Sequence, residues 1–421
     1  MKKQSNIPQI RFQNFKKLWK DDKLKNIFGT IRNAFVGTAT PYYVEKGNFY
    51  LESNNVKNGK INYNSQIFIN DEFYEKQRDK WLKTNDIVMV QSGHVGHTAV
   101  IPEELNNTAA HALIVFTDYK KEVDPHFLNY QFQSNGKRKE LDLISTGNTI
   151  KHILASEMKN FKMDFPTVDE QNAISSLFST LDDLLASYKD NLANHQSLKA
   201  TMLSKMFPKA GQTVPEIRLD GFEGEWEKVN LETSTIRLKS FSLPRDVETK
   251  ENTGMRYIHY GDIHTGRASY INNENVLPYI SKDLKITEFL KKGDLTFADA
   301  SEDYKGIAEV SLLAVDPKDN VIAGLHTIAL RPNKNLDSTF LYYLFKTQTF
   351  RKYGYKVGTG MKVFGISPTN LMKYEYYHPS LDEQQAIGTY FSNLDCLIAA
   401  YQEKFSQLET LKKKFLQDMF I

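Results

Sequence analysis

The chain contains one segment twice. Pro166-Thr167-Val168-Asp169-Glu170-Gln171 returns as Pro379-Ser380-Leu381-Asp382-Glu383-Gln384, 213 residues later, and the register holds without a gap through residue 421. Leu181-Asp182 matches Leu394-Asp395, Leu198-Lys199 matches Leu411-Lys412, and Met206-Phe207 matches Met419-Phe420. Between 165–208 and 378–421, 18 of 44 positions are identical. Such a repeat constrains the fold strongly, because both copies must form the same unit of supersecondary structure. The duplication extends backwards more weakly. Thr146-Gly147 pairs with Thr359-Gly360, Phe127-Leu128 with Phe340-Leu341, and Leu82-Lys83 with Leu290-Lys291. Near the two starts, Ile7-Pro8-Gln9-Ile10-Arg11 with Trp19 matches Val214-Pro215-Glu216-Ile217-Arg218 with Trp226. The order is variable block, similar segment, variable block, similar segment.

The similar segments are expected to be long helices. Thr167 with Glu170, and Ser380 with Glu383, fit a capping box, in which hydroxyl and carboxylate each satisfy an orphan backbone N–H. Behind them apolar residues recur in sevens. Ile174, Leu181, Tyr188 and Met202 share one position, and Leu177, Leu184 and Leu198 the other. The second copy has Ile387, Leu394, Tyr401, Leu408 and Phe415, then Tyr390, Leu397 and Leu411. A 3.5-residue repeat of this length asks for a coiled-coil partner, and the obvious partner of each helix is the other. A helix of roughly 38 residues is about 57 Å long, one to two DNA turns.

The variable blocks, about 14–160 and 221–373, read as mixed β-rich domains. Strand-like runs lie at 66–69, 86–90 and 112–116, then at 256–260, 294–297 and 326–330; helical patterns lie at about 125–133 and 338–349. The loops expected between these elements are rich in residues suited to phosphates and base edges. In the first block the candidates are Tyr42, Tyr43, Lys57, Lys60, Ser92, His94, His97, Asn148 and Lys151. In the second they are Arg256, Tyr260, His264, Arg267, Ser301, Lys305 and Lys362. The net charge of +3 does not by itself announce nucleic acid; it allows basic faces offset by acidic ones. Ordinary polar loops are the competing reading of any one of these residues.

Other classes are disfavoured. No apolar run reaches about 18 residues, and the basic start lacks an apolar stretch behind it, so neither a membrane span nor a signal peptide is expected. The single cysteine, Cys396, fits a reducing cytoplasm. There is no G-x-x-x-x-G-K-[ST] phosphate loop and no Asn/Asp-Pro-Pro-aromatic tetrapeptide of amino-methyltransferases. Asp294 with Asp303 and Lys305 loosely matches a nuclease carboxylate–carboxylate–lysine set, but the first block has no counterpart. His94 and His97 are spaced too closely to be compelling metal ligands, and no cysteine supports them.

With the repeat assembled, the chain resembles the specificity subunits of type I restriction–modification enzymes. The carriers are Phe165-Pro166-Thr167-Val168-Asp169-Glu170-Gln171, Ile174, Leu181-Asp182, Leu198-Lys199, Met206-Phe207 and their partners 213 residues on. The resemblance spans essentially the whole chain. It implies an α+β protein of two target recognition domains, 1–160 and 214–373, with conserved spacer helices in 161–213 and 374–421. The helices would form an antiparallel coiled coil with pseudo-twofold symmetry. Each domain would read one half of a bipartite, asymmetric site on double-stranded DNA. The helices would dock two methyltransferase subunits, joined by restriction/translocase subunits. This chain would bind no cofactor and no metal; S-adenosylmethionine, ATP and magnesium would belong to the other subunits. No separate helix is expected before the first block, nor a tail after the second helix. A self-contained nuclease or methyltransferase, and a coiled-coil scaffold that binds no nucleic acid, are the alternatives.

Overall fold

The computed structural model describes residues 7–147, 151–281, 286–301, 306–360 and 364–421. The chain divides into two units, Met1–Lys189 with Glu403–Ile421, and Asp190–Gln402.

The first unit is built on an antiparallel sheet. Its strands are β1 (Phe28–Asn33), β4 (Ile87–Val90), β5 (Thr98–Val100) and β6 (Leu113–Tyr119), in the order β1-β6-β4-β5. A short hairpin, β2 (Val56–Lys57) and β3 (Lys60–Ile61), lies in the same unit. β4 is apolar at every position because both faces of the sheet are covered. Ile87 and Met89 enter one core with Ile114, Phe116, Leu128 and Phe132. Val88 and Val90 enter another with Leu51, Val56 and Val115. Period-two alternation thus distributes one apolar run between two cores. The helices of this unit include α1 (Pro125–Gln133), capped by Asp124, then α2 (Asn135–Ile144) and α3 (Val168–Lys205).

The second unit repeats the plan. β7 (Thr235–Leu238), β8 (Tyr270–Ile271), β9 (Leu295–Ala298), β10 (Val310–Leu313) and β11 (Thr327–Pro332) are ordered β7-β11-β9-β10-β8, with only the added β8 parallel to its neighbour. Its helices include α4 (Ser338–Leu344), α5 (Gln348–Val357) and α6 (Leu381–Asp418). Every strand run and both short helical patterns read from the sequence are present, within a few residues. The pattern at 338–349 breaks into α4 and the start of α5.

Each long helix contributes to both units. In the first, the start of α3 packs with Trp19, Phe127 and Tyr130, and Met419 and Phe420 from beyond α6 complete that core. The Phe420 ring lies 5.6 Å from Phe127, 5.7 Å from Phe178 and 6.4 Å from Trp19. In the second unit Phe207, from beyond α3, takes the same place, 5.4 Å from Phe340, 5.9 Å from Phe391 and 6.5 Å from Trp226. The two helices run in opposite senses within each unit. Phe178 meets Phe420 while Asp182 meets Lys412 in one; His195 meets Tyr401 while Lys199 meets Asp395 in the other.

Two expectations need correction. The heptad pattern promised two buried seam positions, and only one is buried along its outer part. Ile174, Leu181, Ile387 and Leu394 are buried, and Tyr188 and Tyr401 are half-buried. Leu184, Leu198, Leu397 and Leu411 remain 41, 39, 40 and 38% exposed. One helix covers one stripe of its partner, and the second stripe lies beyond its reach. The capping-box glutamates do something else as well. Glu170 accepts a two-pronged contact from Arg11, Nε at 2.7 Å and Nη2 at 2.8 Å, and Glu383 the same from Arg218, at 2.7 and 2.6 Å. Both carboxylates are buried, so the charge-assisted fork of a guanidinium outcompetes a backbone N–H that water can serve. Ser380 still accepts from the Glu383 N–H at 3.4 Å.

Candidate nucleic-acid interface

The repeated residues form anchors that tie each β-rich domain to its helix. Gln171 Oε1 accepts from the Asp124 N–H at 3.0 Å while its Nε2 donates to the Pro166 carbonyl at 3.1 Å. Gln384 does the same with Asp337 at 2.9 Å and Pro379 at 2.9 Å. Asp182 accepts from the Tyr130 hydroxyl at 2.9 Å and from Lys412; Asp395 accepts from Tyr343 at 2.8 Å and from Lys199. The Pro-x-x-x-Glu-Gln and Leu-Asp motifs are therefore joints between domain and spacer. Glu170, Gln171, Asp182, Glu383 and Gln384 are buried and partnered, and Asp395, 35% exposed, is partnered as well.

The diverged loops sort the candidate residues. In the first unit the Lys57-Asn58-Gly59-Lys60 hairpin turns through positive φ at Asn58 (52°) and Gly59 (83°), the pattern of a two-residue turn. Lys57 and Lys60 are exposed on it, with Lys60 Nζ 3.7 Å from Asp182. The hairpin is held down by Asn129, which donates to the Gly59 carbonyl at 2.8 Å. Beside it stands the Ser92–His97 loop. The Asn58 N–H donates to His97 Nδ1 at 3.2 Å, and Arg138 Nη2 lies 3.4 Å from the same atom. Burial pushes the His97 imidazole down to about 4, helped by Arg138, His94 and Lys57. His94 is exposed, and Ser92 bridges to His152. The structure thus brings Lys57, His94 and His97 together and adds Arg138 of α2, which the sequence reading missed. Nothing in its local sequence marks it; only the packing of α2 beside the loop does.

Other candidates have internal roles. Tyr42 stacks on Phe73 at 4.0 Å; the Tyr43 hydroxyl donates to Glu52 at 2.5 Å, and burial, with this bond, pushes it up to about 12. Lys151 is paired with Asp142 at 2.8 Å.

In the second unit Arg256 is corrected to a framework residue. It is buried, donates to Asp319 at 2.7 Å and the Leu277 carbonyl at 2.6 Å, and stacks 3.7 Å over Tyr279. Tyr260, His264 and Ser301 line one cavity of about 830 Å³ with Glu309. His264 Nε2 contacts the Ala300 carbonyl at 2.8 Å, and Ser301 is buried in a strand pairing with Phe364. Arg267 is half exposed, 3.9 Å from Asp262. Asn148, Lys305 and Lys362 lie outside the described residues, as does Asp303. Asp294 does not stand ready for a cation. Both its oxygens are taken by Arg331, at 2.8 and 2.6 Å, and one also accepts the Lys291 N–H. Among the described residues no group of three or more His, Cys, Asp or Glu could hold a metal ion, and no helix is long and apolar enough to cross a membrane.

Two like domains, each bolted by the same ion pairs to a long helix and carrying its own polar loops, define a duplicated recognition protein. The chain belongs to the family of the type I restriction modification DNA specificity domain, whose pattern matches residues 16–194 and 224–410. It is 21% identical to the type I restriction enzyme MjaVIII specificity subunit of Methanocaldococcus jannaschii, over 79% of this chain and 77% of that one. It is 23% identical to the EcoBI specificity subunit of Escherichia coli over 47% of this chain and 44% of its relative. The fold is that of the type I restriction–modification S subunit from M. genitalium, with a TM-score of 0.61 and 16% identity, covering 99% of each chain.

Proposed function

We propose that this chain reads a bipartite DNA target, one half-site per domain, for a type I restriction–modification enzyme, and carries no catalysis of its own. The observation that supports this most is the pairing of sameness and difference. The joints repeat residue for residue, while the loops they orient differ: a Lys–His–Arg cluster in one unit, a Tyr–His–Ser cavity in the other. Two different readers on one repeated mount suit two unlike half-sites. The α3 and α6 helices act as an antiparallel coiled coil that sets the unspecified spacer. The uncovered leucines, Leu184, Leu198, Leu397 and Leu411, offer apolar surface to methyltransferase subunits, with restriction/translocase subunits joining them. S-adenosylmethionine, ATP and magnesium are handled by those subunits.

The test is to co-express the chain with its methyltransferase and map methylated adenines in the host genome. The expected result is one motif of two unlike halves at fixed separation. Methylation by the isolated chain, or methylation without a two-part motif, would overturn the reading.

A further inference from the structure

His97 has one ring nitrogen committed and one free. Nδ1 faces two groups that can only donate, the Asn58 N–H at 3.2 Å and Arg138 Nη2 at 3.4 Å. Nδ1 is therefore the lone pair, and the neutral ring carries its proton on Nε2. No partner for Nε2 is present among the described residues. The groups facing the ring are Lys57 on the hairpin, His94 on its own loop and Arg138 on α2. One turn further along α2 Asp142 adds a carboxylate that Lys151 occupies at 2.8 Å. The surroundings hold more donors and positive charge than acceptors, and among the described residues Asp142 makes no hydrogen bond to Lys57, His97 or Arg138. Protonating His97 would cost it both Nδ1 contacts and add charge to an already cationic site, and it is held neutral well below physiological pH.

Resting on the DNA-reading function above, we propose that Lys57, His94, His97 and Arg138 form a binding site for a phosphodiester group of DNA, in which His97 serves as a neutral Nε2–H donor. The cations supply attraction and His97 supplies direction. A phosphate offers the acceptor oxygens that this cluster lacks, and the Asn58-Gly59 turn fixes the ring so that the donor needs no ordering on binding. The two roles separate experimentally. A cation that neutralises a phosphate releases counterions and contributes to the salt dependence of affinity; a neutral donor contributes affinity alone.

The experiment is fluorescence anisotropy of the full-length chain with a mixed-sequence duplex, across a salt series and at acid and neutral pH. Lys57→Gln should lower the slope of log affinity against log salt by about one. His97→Asn keeps an acceptor near the Nδ1 position, but its shorter amide cannot place an N–H where Nε2 stood. It should weaken binding roughly three- to tenfold with the slope, the pH profile and the melting temperature unchanged. Native affinity in His97→Asn, or a deficit that appears as lost slope or grows with pH, overturns the proposal. If millimolar orthophosphate raises the melting temperature of the native chain but not of His97→Asn, while duplex affinity is the same in both, the site takes free phosphate, and its assignment to DNA fails. Native duplex binding with both variants unchanged overturns this site alone. Failure of the native chain to bind any duplex overturns the DNA reading too.

Discussion

Lys412 Nζ lies 2.5 Å from Asp182 Oδ1, and Lys199 Nζ lies 2.5 Å from Asp395 Oδ1. The second pair is the first with each partner moved by the repeat interval, so the repeat is preserved down to single ion pairs. The two differ in exposure. Lys412 and Asp182 are 15 and 9% exposed, Lys199 and Asp395 25 and 35%. Lys412→Met should therefore cost about 2 kcal/mol by stranding a largely buried carboxylate, and Lys199→Met about 1 kcal/mol or less, because water screens and solvates Asp395. Urea unfolding, following the unit that carries each pair, measures both. Equal losses would show that burial does not set their strength.

Arg218→Ala should be the costlier change. Glu383 is 1% exposed, and both of its oxygens are held by the guanidinium. Leaving that charge buried without its partner costs about 3–5 kcal/mol. A thermal-shift loss equivalent to less than about 1 kcal/mol would mean that Glu383 finds another donor.

The first unit has a pH-sensitive pair outside the proposed phosphate site. His111 contacts Glu52 at 3.3 Å, which raises its pKa; the same bond to His111 holds Glu52 below its ordinary value. The stability from His111 is fully present below its unfolded value of 6.5 and is lost as pH rises through the raised folded value. That from Glu52 is present above 4.5 and is lost as pH falls through its lowered folded value. The native chain should lose more melting temperature between about pH 5.5 and 8.5 than His111→Gln does. Parallel profiles would refute the coupling.

The uncovered leucines test assembly. Leu397→Glu or Leu411→Glu should leave the melting temperature near native, since these side chains are 40 and 38% exposed, yet prevent co-purification with the methyltransferase. A complex of native stoichiometry would remove these leucines from the interface.

Deleting one heptad from both α3 and α6 preserves the seam while shortening each helix by about 10 Å. The spacer in the methylated motif should change and both half-sites remain. A changed half-site would contradict the ruler.

Much of this was legible in the sequence, and particular residues show why some was not. The strands around Val88 and Leu295 were readable because local apolar runs suffice to specify them. The joints were visible only as recurring letters. Leu181-Asp182 and Leu198-Lys199 repeat plainly, but that Asp182 meets Lys412, and not Lys199, follows from the opposed helix senses. The partner of Glu170 escapes a local reading, because a capping box spans one helical turn, whereas Arg11 lies 159 residues away. Arg256 was misread because charge alone does not reveal that Asp319 and Tyr279 bury it. Gly388, an apparent weak point in a long helix, is a close approach: a Cβ there would stand 3.1 Å from the Phe340 backbone nitrogen.

The place of Phe420 imposes an order on synthesis. The pocket of Trp19, Phe127 and Phe178 leaves the ribosome early, but the ring that fills it emerges only after the whole second domain. Phe207, by contrast, is already available when its own pocket is made. The first domain must wait with an open apolar socket while the second can close promptly, so the nascent chain is most exposed to misassociation in its earlier half. Two like domains are thereby completed by unlike routes.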